Sequence, residues 1–109
     1  MMQTEKSAIR FGLKESTIEK IISVFVKYTK IKKVLLYGSR AKGNYRNGSD
    51  IDLTLIGDEL SYSQLGNLES DIDDLFLPYS FDISIFKDID NPDLVDHINR
   101  VGVVFYKKD

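Results

Sequence analysis

The chain has 109 residues, of which 42% are hydrophobic and 29% charged, which suits one soluble globular domain with one modest core rather than a disordered chain. Lys and Arg total 15 against 17 Asp and Glu, a net charge of −2 that argues against bulk electrostatic binding to nucleic acid. There is no cysteine and His97 is the single histidine, which excludes disulfides, thiolate chemistry, cysteine zinc sites and multi-histidine metal sites.

The N-terminal stretch MMQTEKSAIRFG is polar, with no apolar segment of the secretory kind, and residues 1–13 are expected to be weakly ordered within a single domain, 1–109. No apolar run approaches the ~20 residues that span a bilayer, so a cytoplasmic location with no membrane partner is expected. In ESTIEKIISVFVKY, Ile18, Ile21, Ile22, Phe25 and Val26 recur at helical spacing, with Ser16 or Thr17 as the expected cap. KKVLLYG is a short apolar run ending at glycine and predicts a buried strand. SRAKGNYRNGS predicts a turn and one short helix.

DIDLTLIG alternates strictly: Ile51, Leu53 and Leu55 face one way, Asp50, Asp52 and Thr54 the other. SYSQLGNLESDIDDLF sets Leu65, Leu68, Ile72, Leu75 and Phe76 on a helical stripe with acids opposite. SFDISIF alternates again, with Asp82 and Ser84 opposite Phe81, Ile83 and Ile85. NPDLVDHINRVG predicts a helix with Asn91 as cap, Pro92 at its first position and Gly102 as its stop, and VVFYKK a last strand. The order implies an α/β (α+β) fold, a small mixed sheet with helices packed mainly on one face, whose open face carries Asp50, Asp52 and Asp82.

Asp50 and Asp52 lie about 6.7 Å apart along a strand. Two ionised carboxylates on one partly enclosed face repel, so either one takes a proton or a cation sits between them. A hard divalent ion held through oxygen, such as Mg²⁺ with substrate phosphates, suits such a pair, and Asp82 would complete a two-metal clamp. An Asp-X-Asp on an exposed strand is, on its own, usually only solvated charge. Gly38 and Ser39 add weight, because a glycine after a strand lets a phosphate approach the backbone and the N–H groups beyond it can face an anion. Arg40 or Lys42 would neutralise distal phosphates. The spacing of a P-loop is missing.

GSRAKG followed by SDIDL (Gly38–Gly43 and Ser49–Leu53), with Asp82 in FDISIF, resembles the signature of the DNA polymerase beta-like nucleotidyltransferase superfamily, and most of all its short branch, the minimal nucleotidyltransferases (MNT). The resemblance implies the nucleotidyltransferase fold, with Gly38 and Ser39 holding the triphosphate of ATP. It implies that Asp50 and Asp52 bind two Mg²⁺ ions, and that Asp82 ligates the catalytic metal and helps deprotonate an acceptor hydroxyl, giving a nucleotidylated acceptor and pyrophosphate. It also implies an all-helical HEPN-type toxin as partner, with AMP transferred to its tyrosine and this chain as antitoxin. Two alternatives stay open: a module that neutralises a partner by contact alone, and transfer to a small hydroxylated molecule such as an aminoglycoside. A homodimer or a hetero-complex would each cover the catalytic face.

Other polar residues have plainer readings. His97 has no acidic or nucleophilic partner near it in sequence and is expected to be structural or solvated. Tyr37 is expected to pack on the sheet, and Tyr45 and Arg46 to touch nucleotide or partner. The lysines from Lys27 to Lys33 are expected to be solvated. The acidic run Glu69–Asp74 is expected to face solvent, the sharper alternative being a surface for a basic partner.

Overall fold

A computed structural model describes residues 9–109. The chain opens with a hairpin, β1 (Ile9–Arg10) against β2 (Leu13–Lys14). Its tight turn places Phe11 and Gly12 at φ 60° and 76°, the left-handed pair that matches strand twist in two-residue hairpins. Of residues 1–13, expected to be weakly ordered, those from Ile9 onward form this hairpin, and residues 1–8 lie outside the described residues. Leu13 anchors the hairpin, fully buried in the core. Helix α1 (Glu15–Val26) starts directly after β2. The expected Ser16 or Thr17 cap is not used: Lys14 is the capping position and makes no side-chain bond there. Glu15 instead lies in the first turn, where negative charge is favoured, and pairs with Arg10 at 3.0 Å.

The remaining elements follow as strand β3 (Lys33–Tyr37), short helix α2 (Gly38–Lys42), strand β4 (Ile51–Ile56), helix α3 (Tyr62–Asp73), strand β5 (Phe81–Ile85), helix α4 (Pro92–Val101) and strand β6 (Val103–Lys107). Ser61 and Gln64 form a reciprocal capping box at α3. At α4, Asn91 Oδ1 accepts from the N–H groups of Asp93 and Leu94, with Pro92 at the first turn as expected. One sheet has the order β5-β4-β3-β6. β3 is antiparallel to β4 and β6, while α3 carries the chain across so that β5 runs parallel to β4.

Helices α1 and α3 pack together over one face of this sheet. Ile18, Ile21, Phe25, Leu68 and Ile72 meet Val34, Leu36, Leu53, Leu55, Ile83 and Ile85 there in a single apolar cluster. Tyr37 and Ile98 are also buried but stand outside that cluster. They mark the second face, where α4 packs against α2 and β3. Helical cover is thus one-sided except at β3, and β4 and β5 keep the rest of the second face for polar side chains. No helix among the described residues is long and apolar enough to cross a membrane.

Candidate active site

Strand register builds the centre of the site. Tyr37 is paired with Asp52 across β3 and β4, and Asp52 with Asp82 across β4 and β5. Cross-strand partners share a face at Cβ separations of about 5 Å. The three side chains therefore form one row on the second face of the sheet. The row behind it is Leu35, Thr54 and Ser84. There Ser84 Oγ donates to Thr54 Oγ1 at 3.0 Å, which satisfies a fully buried threonine. Asp50 is exposed and lies one residue ahead of β4.

The electrostatics follow from that register. Burial pushes the Asp52 carboxyl above the usual carboxylate range, Asp82 and Asp50 push it further, and His97 opposes them. Burial, with Asp82 and Asp52 beside it, raises the Tyr37 hydroxyl to about 12. None of Asp50, Asp52 and Asp82 forms an ion pair with Lys or Arg among the described residues. The donor set is all oxygen and carries no compensating cation, which fits a hard divalent ion. Among the described residues no three carboxylate or imidazole groups converge into a closed ligand set. Of the three acids read from sequence, Asp52 and Asp82 are cross-strand partners, and Asp50 lies on the loop that enters β4.

Gly38 follows β3 and starts α2 at φ 76°. A Cβ there would strike Asp52 Oδ2, so glycine is required both by backbone conformation and by the carboxylate packed on it. The Gly38 N–H donates to His97 Nε2 at 3.2 Å. The Tyr37 ring meets the His97 ring edge-on at a centroid distance of 6.0 Å. His97 is therefore part of this centre, which sequence reasoning missed. Its partner is 59 positions away along the chain. The available signal was its place beside Ile98 on the packed stripe of α4. With Gly38 engaged, the donors left at this turn are the first-turn N–H groups of Ser39 and Arg40, which have no intrahelical acceptors, and the half-buried Ser39 hydroxyl.

Arg40 departs from its expected phosphate contact. It is 2% exposed. Its Nη1 donates to Phe11 O at 2.8 Å, its Nε and Nη2 to Ser49 O at 3.1 and 2.9 Å, and Nη2 also to Asn47 O at 3.4 Å. Its guanidinium lies 5.4 Å from the ring centre of Tyr45 and 5.2 Å from that of Tyr79. The side chain clamps the hairpin and the loop that delivers Asp50, and Tyr45 is part of that clamp. Lys42 is exposed at the end of α2.

Residues 19–109 match the family model for polymerase beta nucleotidyltransferases. The chain belongs to this family. A 46-residue stretch is 46% identical to a candidate protein adenylyltransferase, MJ0604, of Methanocaldococcus jannaschii, covering 37% of this chain and 46% of that relative. The match thus spans less than half the length of that relative. Among solved structures, a toxin–antitoxin pair with AMP-PNP includes a chain similar in fold at a TM-score of 0.68 and 19% identity, over 84% of this chain and 74% of that one. A tri-AMPylated Shewanella oneidensis HEPN toxin in complex with an MNT antitoxin gives 0.64 at 17% identity, over 86% and 72%.

Proposed function

We propose that this nucleotidyltransferase moves AMP from ATP to a hydroxyl of a partner protein, with Mg²⁺, and acts in the cytoplasm as the antitoxin of a HEPN-type toxin. The observation that carries the reading is the row of Asp52 and Asp82 beside the Gly38–Ser39 turn, with no basic side chain among the described residues paired to either acid. The partner assignment draws on the fold shared with MNT antitoxin complexes, one holding AMP-PNP and one holding an AMPylated HEPN toxin.

In this reading Asp50, Asp52 and Asp82 hold the Mg²⁺ ions, which when bound supply charge stabilisation for the phosphates and the leaving oxygen. Ser39 Oγ and the N–H groups of Ser39 and Arg40 bind the triphosphate, and exposed Lys42 attracts it. The acceptor oxygen forms a bond to the α-phosphorus while the bond to the bridging oxygen of the β-phosphate breaks. Pyrophosphate leaves, and the acceptor proton passes to the Asp82 carboxylate. His97 and Tyr37 hold the Gly38 backbone and the Asp52 side chain in mutual register.

Calorimetric titration with ATP, with and without Mg²⁺, tests the site on wild type and on Asp50→Asn. Mg²⁺-dependent binding lost in the variant is expected. The acceptor is tested with radiolabelled ATP and a purified HEPN-type protein. Label on a tyrosine of that protein is expected, and is absent with Asp52→Asn. Suppression of the toxin by an Asp50→Asn/Asp52→Asn variant that transfers nothing would instead mark a contact-only module.

A further inference from the structure

Strand β5 is an outer strand of the sheet, with a strand partner on one side alone among the described residues. Ile51 N–H donates to Ser80 O at 2.9 Å. Alternate residues of a parallel strand bond to the same neighbour, so Asp82 and Ser84 also turn their backbone groups toward β4. Phe81 and Ile83 then direct N–H and C=O outward, and Ile85 its N–H. An exposed row of this kind is a template for another strand unless charge, proline or a covering segment blunts it. FDISI has no proline and no lysine, and its one charge, Asp82, stands on the site face of the sheet.

Beside this edge, between α3 and β5, lies a cavity of about 450 Å³ lined by Glu69, Ile72, Asp73, Tyr79, Phe81 and Ile83. Ile72 and Ile83 lie buried in its wall, and exposed Glu69 and Asp73 give it negative charge. Neither Glu69 nor Asp73 forms an ion pair among the described residues. Phe76, three residues past Asp73, stands 89% exposed in a left-handed conformation at φ 53°. This left-handed backbone is strained for a side chain that buries so little. The opposite edge, β6, ends in Lys107 and is followed by Lys108, so the two edges have opposite charge.

We propose that the β5 edge and this cavity dock an extended segment of the acceptor protein, added as a further strand, with apolar and basic side chains alternating against polar ones. The apolar residues enter the cavity and flanking Lys or Arg meet Glu69 and Asp73, while main-chain bonds to Phe81 and Ile83 fix the register. Side chains alternate between faces, so Asp82 projects away from the cavity onto the site face. The docked residue opposite Asp82 shares that face, with neighbouring strands about 4.8 Å apart, and presents its hydroxyl beside Asp82. This deepens the proposed function and rests on it for the hydroxyl's role, but the docking itself requires no catalysis.

The probe is the peptide Lys-Thr-Val-Tyr-Val-Thr-Lys, titrated into ¹⁵N-labelled protein without nucleotide. Shifts and slowed exchange at the Phe81, Ile83 and Ile85 amides are expected, with the same result on Asp52→Asn. Glu69→Lys/Asp73→Lys weakens binding about tenfold or more by placing like charges against the peptide, and Glu-Thr-Val-Tyr-Val-Thr-Glu does not bind. No binding of the basic peptide, shifts centred on β6, or equal binding of the acidic peptide overturns the proposal. A protein that nucleotidylates an acceptor yet ignores the peptide overturns the docking surface alone. Docking without any nucleotide transfer supports the surface and counts against the enzymatic reading.

Discussion

Replacing Arg40 by methionine separates its two readings, phosphate ligand and structural clamp. Methionine keeps much of the volume, so cavity formation contributes little. The variant strips donors from Ser49 O and Phe11 O, which Arg40 contacts at 2.8–3.1 Å. An unsatisfied buried acceptor costs about 1–3 kcal/mol. Loss of the Tyr45 and Tyr79 contacts adds about 0.5–1 kcal/mol each. Removing the cost of burying a guanidinium offsets part of the total, leaving a net destabilisation of about 3 kcal/mol. That is a large share of the roughly 5–15 kcal/mol by which domains are stable. Urea unfolding at several wavelengths gives the number. Nucleotide affinity of the folded variant should stay within about threefold of wild type, less than 0.7 kcal/mol. A variant as stable as wild type that has lost nucleotide binding would refute the clamp and restore the phosphate contact.

Gly38→Ala should cost about 1–2 kcal/mol from the left-handed backbone alone. It should also reduce Mg²⁺-dependent ATP affinity, measured by calorimetry, at least about tenfold as Asp52 is displaced. Asp52→Asn should lower nucleotide transfer about a thousandfold, in line with the several kcal/mol a metal supplies, while raising the melting temperature at pH 7. The sign follows from the raised carboxyl: the folded state holds that proton more tightly than the unfolded chain, so stability is greatest in acid and falls as pH rises through the folded-state value. The wild-type deficit against Asp52→Asn should therefore vanish in acid, and a pH-independent gap would contradict it. Of the 6 tyrosines, Tyr37 and Tyr28 should ionise only near pH 12 in an ultraviolet titration. Tyr37→Phe should remove one of the two late groups. For Tyr37 the stabilisation is present below pH 10 and lost between 10 and 12.

Much of the scaffold was written in local pattern. Alternation in DIDLTLIG and SFDISIF located two strands and put Asp52 and Asp82 on one face, because side-chain direction in a strand depends only on parity. Asn91, Pro92 and Gly102 bounded α4 for equally local reasons. What escaped was tertiary. The charge of Arg40 suggested phosphate, yet its acceptors are backbone carbonyls, which carry no signature in side-chain identity. His97 acquires its role only when α4 folds back onto β3. The hairpin at Ile9–Lys14 was hidden because its strands are two residues each, too short for any periodicity, and its turn puts a phenylalanine where glycine or asparagine is the usual signal.

The clamp around Arg40 reaches beyond the segment that defines the family. One of its acceptors, Phe11 O, and the buried Leu13 both lie upstream of residue 19, where the family match begins. A fragment cut at that boundary would keep every acid of the site and still lose an anchor of the loop that carries Asp50. The hairpin is best regarded as the outer half of a hinge pin whose inner half is Arg40, and trimming it would loosen the catalytic loop from a distance.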